Sequence, residues 1–162
     1  MFDGQFRTQI ERYVRPVGES LRRTGLSPDH FTLLGLCVAA ASAVAIGAGK
    51  MQLGLLLVIC SALPDLLDGA LAKASNSASQ RGAFFDSVVD RVSDSFLFGG
   101  VAWFYATSST PLFAMVPFAA LAASLIISYE RAKAESLGLS AKGGLMERAE
   151  RIILLCVGLL FD

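Results

Sequence analysis

The sequence predicts an all-α fold: a polytopic membrane helix bundle preceded by an amphipathic helix that lies in the membrane interface. Three observations predict it. The 162-residue chain is 54% hydrophobic and 17% charged, whereas roughly 25% of a soluble domain is charged. Mean hydropathy is positive. The apolar residues fall into five separate runs divided by short polar turns. The length suits one domain over 1–162, a single integral-membrane unit.

The first element is the interfacial helix, over about 5–24. Phe6, Ile10, Tyr13, Val14 and Leu21 form an apolar stripe, and Arg7, Arg12, Arg15, Arg22 and Arg23 carry the opposing charge. That pattern suits a helix half-sunk among lipid headgroups; an ordinary surface helix is the alternative. No signal peptide is expected, because these residues are polar and Arg-rich, with no apolar core before a cleavage site.

The spans begin at about residue 28. Leu26-Ser27-Pro28 ends the first helix, and Ser27 and Pro28 suit an N-cap and a first helical position. From Phe31 to Ala48 no residue is charged, a run close to the ~18 residues of a minimal span. Gly47 to Lys50 is a turn. The second span runs from Met51 to about Ala74, apolar at first and then bearing Asp65, Asp68 and Lys73. Ser75 to Arg81 is a polar loop. The third span, Gly82 to about Ala106, carries its acids in its first half. After a turn at Thr107 to Pro111, the fourth span covers about Leu112 to Tyr129 and continues helically toward Glu135. A polar loop reaches about Met146. The last apolar run, Ile152 to Phe161, is only about half of the ~20 residues that cross a bilayer. The expectation is a fifth span cut short, with a re-entrant end as the alternative.

Lysine and arginine placement sets the orientation. Of 14 such residues, only Lys50 falls in a turn on the side opposite the N-terminus. The N-terminal side is therefore expected to be cytoplasmic, in a multi-pass protein of the cell membrane. Formal net charge is zero, and no nucleic-acid partner is expected. Cys37, Cys60 and Cys156 each lie in an apolar run without metal-ligand spacing, and read as small buried hydrophobes. His30 reads as a helix-boundary residue.

The residues that carry chemistry are four aspartates. Asp65 and Asp68 are three apart, with Gly69 and Ala72 continuing the face of Asp65; Asp86 and Asp90 are four apart, with Gly82 one turn earlier. A carboxylate at the centre of a membrane helix costs roughly 2.5–3.5 kcal/mol. Lys73, Arg81 and Arg91 offset part of this. Two carboxylate pairs on consecutive antiparallel helices suit hard divalent cations: magnesium takes oxygen ligands and bridges carboxylates to phosphates, and two such ions stabilise both oxygens of a displacement at phosphorus. The small residues leave room for a ligand against the backbone. Two other readings stay open here: acids that only pair with basic residues to hold helices together, and a cation or proton pathway. Asp94 extends the stripe by one more turn, either as a fifth ligand or, the favoured reading, as an acid that pairs with a neighbour or caps a polar pocket.

This stretch resembles the signature of the CDP-alcohol phosphatidyltransferases, D-x-x-D-G-x-x-A-R followed by G-x-x-x-D-x-x-x-D. Asp65, Asp68, Gly69, Ala72, Gly82, Asp86 and Asp90 stand in register, and Pro28 and Thr32 extend the resemblance to the start of the first span. Lys73 departs from the family's arginine; lysine keeps the charge and loses the planar fork. The resemblance implies six spans, commonly a homodimer, and a reaction in which an alcohol attacks the lipid-side phosphorus of a CDP-linked lipid and CMP leaves. It implies that Asp65, Asp68, Asp86 and Asp90 bind two Mg2+ ions, with Mn2+ as the alternative, and that Asp90 is also the base. Pro28, Thr32, Gly69, Ala72, Lys73 and Gly82 would contact the CDP-diacylglycerol.

The acceptor is addressed by a second stretch. Ser128-Tyr129-Glu130-Arg131-Ala132-Lys133-Ala134-Glu135 and Glu147-Arg148-Ala149-Glu150-Arg151 gather basic residues where the chain leaves and re-enters the membrane. Such a cluster suits a phosphate, although lipid anchoring and plain surface ion pairs fit it too. It is similar to the acceptor region of phosphatidylinositol phosphate synthases, S-Y-x-K-A-R-A-E and later E-R-x-E-R, with lysine and arginine exchanged at 131 and 133. That likeness implies inositol 1-phosphate as acceptor, held by Ser128, Arg131, Lys133, Arg148 and Arg151. The nearest alternative is a phosphatidylglycerophosphate synthase taking glycerol 3-phosphate. The alternative of another class, a divalent-cation or proton transporter, calls for a midplane site between repeats, and no repeat is visible.

Overall fold

The computed structural model describes residues 28–74, 79–140 and 148–161, with side chains described for 29–62, 79–140 and 148–161. Among the described residues the secondary structure is helical: α1 (Pro28–Gly47), α2 (Met51–Ala74), α3 (Gln80–Thr107), a 3-10 turn (Pro111–Ala114), α4 (Met115–Ser136) and α5 (Arg148–Leu160). The interfacial helix expected over 5–24 lies outside the described residues.

Local chemistry explains the boundaries. α1 opens on Pro28 with Asp29 in its first turn, where a fixed φ and a negative charge both favour a helix start. It ends in a reciprocal pair of bonds, Lys50 N–H to Ala45 O at 2.9 Å and Gly49 N–H to Ile46 O at 2.8 Å. Gly49 has φ +75°, the left-handed conformation that this closure needs and that glycine adopts without steric cost. Ser79 caps α3, its hydroxyl accepting the Gly82 N–H at 3.0 Å. The helix therefore starts two residues before the expected Gly82. At the far end of α3, Thr107 and Ser108 hydroxyls donate back to the carbonyls of Trp103 and Tyr105. Pro111 then opens the 3-10 turn, so that α4 begins at Met115 rather than near Leu112. α5 begins at Arg148, one turn ahead of the apolar run.

The chain divides into two compact units, 1–38 with 59–92, and 39–58 with 93–162. The first holds the start of α1, the end of α2 and the start of α3. The second has a core of Ala39, Ile46, Val58, Leu97 and Leu159. Its helices approach closely: a Cβ at Gly100 would lie 2.6 Å from the Ala43 carbonyl oxygen, the small-residue packing typical of membrane helices. The fully buried Ser42 hydroxyl donates to the Gly54 carbonyl at 2.9 Å, joining two helices of that unit.

Among the described residues, two helical stretches, Asp29–Gly47 and Pro111–Ser136, are long and apolar enough to cross a membrane. The second is only 11% buried, so its apolar surface faces outward, the reverse of a core helix in a soluble protein. α3 misses that test because Asp90, Arg91 and Asp94 interrupt its apolar window; in α2 the described apolar stretch is Met51–Ala62. The cysteines correct an expectation. Cys37 is exposed and Cys60 and Cys156 are half-buried, because outward faces of membrane helices are as apolar as their cores.

Candidate active site

The acidic motif belongs to the first unit. Asp65, Asp68, Gly69, Ala72 and Lys73 stand on the last turns of α2, and Gly82, Asp86 and Asp90 on the first turns of α3. The side chains of the α2 residues and of Pro28 lie outside the described residues. On α3, Asp86 and Asp90 are both half-buried and one turn apart. The Asp90 carboxylate is 3.5 Å from the Arg91 guanidinium, which also donates to the Ser87 carbonyl at 2.8 Å. Arg81 turns instead toward Asp29, 3.9 Å away and largely in solvent, a pair of little energetic weight. Among the described residues, Arg91 is thus the expected counter-charge seen beside an aspartate of the motif. Thr32 is buried, with 4% of its surface exposed. Gly82 has a local reason for its missing side chain: a Cβ there would press to 3.2 Å on the capping hydroxyl of Ser79. Among the described residues no three His, Cys, Asp or Glu side chains form a metal cluster.

The basic residues belong to the second unit, where the structure separates residues that the sequence grouped. Arg131 is exposed and pairs along its own helix with Glu135 at 3.3 Å. Lys133 is exposed in the last turn of α4. Ser128 donates to the Ser124 carbonyl at 2.9 Å, a bond within the helix. Arg148 and Arg151, by contrast, are drawn together by Asp94. The Asp94 carboxylate is 3% exposed; one oxygen accepts from Arg148 Nε at 3.4 Å, the other from Arg151 Nη2 at 3.3 Å and from the buried Ser124 hydroxyl at 3.2 Å. Arg151 and Ser124 also line a cavity of about 450 Å³ whose other walls are mostly apolar, among them Phe98, Phe113, Pro117 and Leu155.

Comparison with known proteins places this arrangement. Residues 26–161 match the sequence profile of the CDP-alcohol phosphatidyltransferases. The chain belongs to the CDP-alcohol phosphatidyltransferase family. Within that family it is 36% identical over 154 residues to a phosphatidylinositol phosphate synthase of Mycobacterium marinum, covering 94% of this chain and 66% of that relative. It is 38% identical to an archaetidylinositol phosphate synthase of Methanothermobacter thermautotrophicus, over 95% of this chain and 75% of that one. The chain thus spans about two thirds of the length of its M. marinum relative. Among solved structures, the phosphatidylinositol phosphate synthase PgsA1 of Mycobacterium tuberculosis with CDP-DAG bound superposes with a TM-score of 0.84 at 35% identity, over 91% of this chain and 75% of that one. The same protein in complex with manganese and citrate gives 0.83. The all-α fold of this chain is therefore that of its family.

The role of Asp94 was half legible beforehand. Its spacing after Asp90 marked it, and the pairing reading holds; its two partners lie 54 and 57 residues further on, beyond the reach of any local pattern. Ser124, a small polar residue in an apolar run, gave no signal.

Proposed function

We propose that this chain transfers a phosphatidyl group from CDP-diacylglycerol to a hydroxyl of inositol 1-phosphate, giving phosphatidylinositol phosphate and CMP. The observation that carries the acceptor is the gathering of Arg148 and Arg151 on one buried carboxylate, in a chain whose bacterial and archaeal relatives are both named for inositol phosphate. Those two names differ in their lipid and agree in their acceptor.

In this reading Asp90 accepts the proton of the attacking hydroxyl. The hydroxyl oxygen forms its bond to the lipid-side phosphorus, the phosphoanhydride bond breaks, and CMP departs. Arg91 lies 3.5 Å from the Asp90 carboxylate and gives it a counter-charge. Asp65, Asp68, Asp86 and Asp90 would hold two Mg2+ ions or their Mn2+ equivalents. The donor set fits: carboxylate oxygens are the hard ligands such ions take, and the described part of the motif on α3 has no thiolate or imidazole among them. Bound there, the ions would neutralise charge on the diphosphate. Pro28, Thr32, Gly69, Ala72, Lys73 and Gly82 would border the nucleotide lipid. Arg148 and Arg151, with Ser128, Arg131 and Lys133 from α4, would bind the acceptor's phosphate.

The positions of lysine and arginine support a multi-pass cell-membrane protein whose site opens to the cytoplasm, where a water-soluble polyol phosphate is at hand. The whole of 1–162 would act as one membrane domain, working as a homodimer. The test is CMP release by the full-length protein from CDP-diacylglycerol with magnesium. Addition of inositol 1-phosphate is expected to start it. Equal turnover with glycerol 3-phosphate removes the acceptor assignment, and no CMP with any polyol phosphate removes the reaction.

A further inference from the structure

We propose that the α1–α2 turn and the α3–α4 turn form a docking surface for phospholipid headgroups, with Trp103, Tyr105 and Phe113 as its aromatic layer and Lys50 as its cationic contact. The surface fixes the depth of the second unit in the bilayer. It does not depend on the reaction proposed above.

Ring contacts bring the two turns to one level, within the single unit 39–58 with 93–162. The six-membered ring of Trp103 lies on Gly47, where a Cβ would collide with it. Phe104 lies beside Gly49, 3.7 Å from where a Cβ would stand. Tyr105 meets Phe113 across the α3–α4 turn, with ring centroids 5.9 Å apart. The ends of α1 and α3 and the 3-10 turn thus share one aromatic layer, next to the exposed Lys50.

The chemistry changes across that layer. Toward the middle of the unit lie Ile46, Leu97 and Val101. On the other side the chain is polar from Thr107 to Thr110. Thr107 donates to the carbonyls of Trp103 and Phe104 at 3.0 and 3.1 Å, and Ser108 to that of Tyr105 at 2.8 Å. Apolar interior, aromatic rings, then hydroxyls and an ammonium is the order in which a bilayer passes from hydrocarbon to water. Tryptophan and tyrosine favour the zone between, because each joins an apolar ring to a polar group. Trp103 is 49% exposed, and the ring atoms nearest Gly47 are on the edge remote from Nε1. Neither turn contains an acid, so the charge that Lys50 presents complements a lipid phosphate.

α4 gives an independent measure of the level. It lies wholly in this unit, and its apolar stretch faces outward. A span of about 20 residues counted from Phe113 ends near Lys133, where Arg131 and Lys133 are exposed. Basic residues at that end suit the opposite membrane boundary.

Trp103 is the one tryptophan of the 162-residue chain, so native fluorescence reads its surroundings. The chain is reconstituted in phosphatidylcholine vesicles whose lipids carry bromine near either the ester end or the methyl end of the acyl chain. A larger loss of emission with ester-end bromine is expected. Trp103→Phe combined with Phe113→Trp moves the probe across the turn and should give the same order. A larger loss with methyl-end bromine puts the ring in hydrocarbon; quenching by aqueous iodide alone puts it in water; quenching by none of these puts it under protein, such as a second copy of the chain. Each of these results overturns the proposal, and the wild-type measurement needs no variant to fold. For Lys50, ester-end bromine is carried on phosphatidylglycerol alone or on phosphatidylcholine alone in the same mixed vesicles. The anionic lipid is expected to be enriched beside Trp103 by up to roughly fivefold, the effect of one cation near an anionic surface, and Lys50→Gln should abolish the difference. No preference in the wild type, or a preference that survives Lys50→Gln, overturns the cationic contact.

Discussion

Asp94 and Asp90 occupy successive turns of one helix, yet they are held differently. Asp94 is enclosed by two guanidiniums and a hydroxyl, with 3% of its side chain exposed, whereas Asp90 keeps 20% exposed beside Arg91. The first environment suits a fixed structural charge and the second a group that exchanges protons and ligands. Two outcomes follow at this scale. Asp94→Ala leaves two cations facing a hole, and is expected to cost about 3–5 kcal/mol, the usual penalty for breaking a buried pair; thermal unfolding in detergent micelles reads it, and an unchanged melting temperature would count against the buried network. Asp90→Asn should lower kcat by roughly 10²–10⁴-fold, the loss expected of a general base, while the melting temperature stays near that of the parent. The aspartates themselves were legible in the sequence because charge inside an apolar run is rare and costly. The company that Asp94 keeps was not, since arginines more than fifty positions away are joined to it only by folding.

Element boundaries follow from capping chemistry. Ser79, within what reads as a featureless polar loop, starts α3 early by accepting the Gly82 N–H, and the cap sets the phase at which Gly82, Asp86 and Asp90 are presented. Sequence periodicity found the helices because apolar runs dominate it, and it placed α2 at Met51 to Ala74, as observed. It missed the 3-10 turn at Pro111–Ala114, because a proline near a helix start is compatible with either geometry. The contact between Gly100 and the Ala43 backbone was likewise hidden, since small residues are scattered through every run. Gly100→Val would drive its side chain into that backbone, at 2.6 Å for the Cβ alone. Overpacking of this kind typically costs about 1–3 kcal/mol, and a drop in melting temperature with the acceptor KM unchanged in the surviving folded fraction is the expected signature. An unaltered melting temperature would mean that the helices part there without penalty.

For the molecule as a whole, the sequence separates two tasks along the chain. The motif of the CDP-alcohol phosphatidyltransferases occupies the loop-proximal turns of α2 and α3, and the residues assigned to the acceptor occupy the end of α4 and the start of α5. The shared names of its relatives point to one acceptor across different lipids, which is reasonable if the basic half is the more demanding of the two. The strict spacing of the aspartates made the family legible. The acceptor was less so, because arginine and lysine at a membrane border serve anchoring as often as recognition; the shared contact with Asp94 distinguishes Arg148 and Arg151 from Arg131, which pairs with Glu135 along its own helix. The most direct measurement is the fate of the acceptor's own phosphorus. The full-length protein is incubated with CDP-diacylglycerol, magnesium and inositol 1-phosphate labelled with ³²P. The account predicts that the label enters the organic phase in step with CMP release, because the inositol hydroxyl attacks and its phosphate is retained. Label that stays in the aqueous phase while CMP is released, or that enters lipid only from glycerol 3-phosphate, would contradict it.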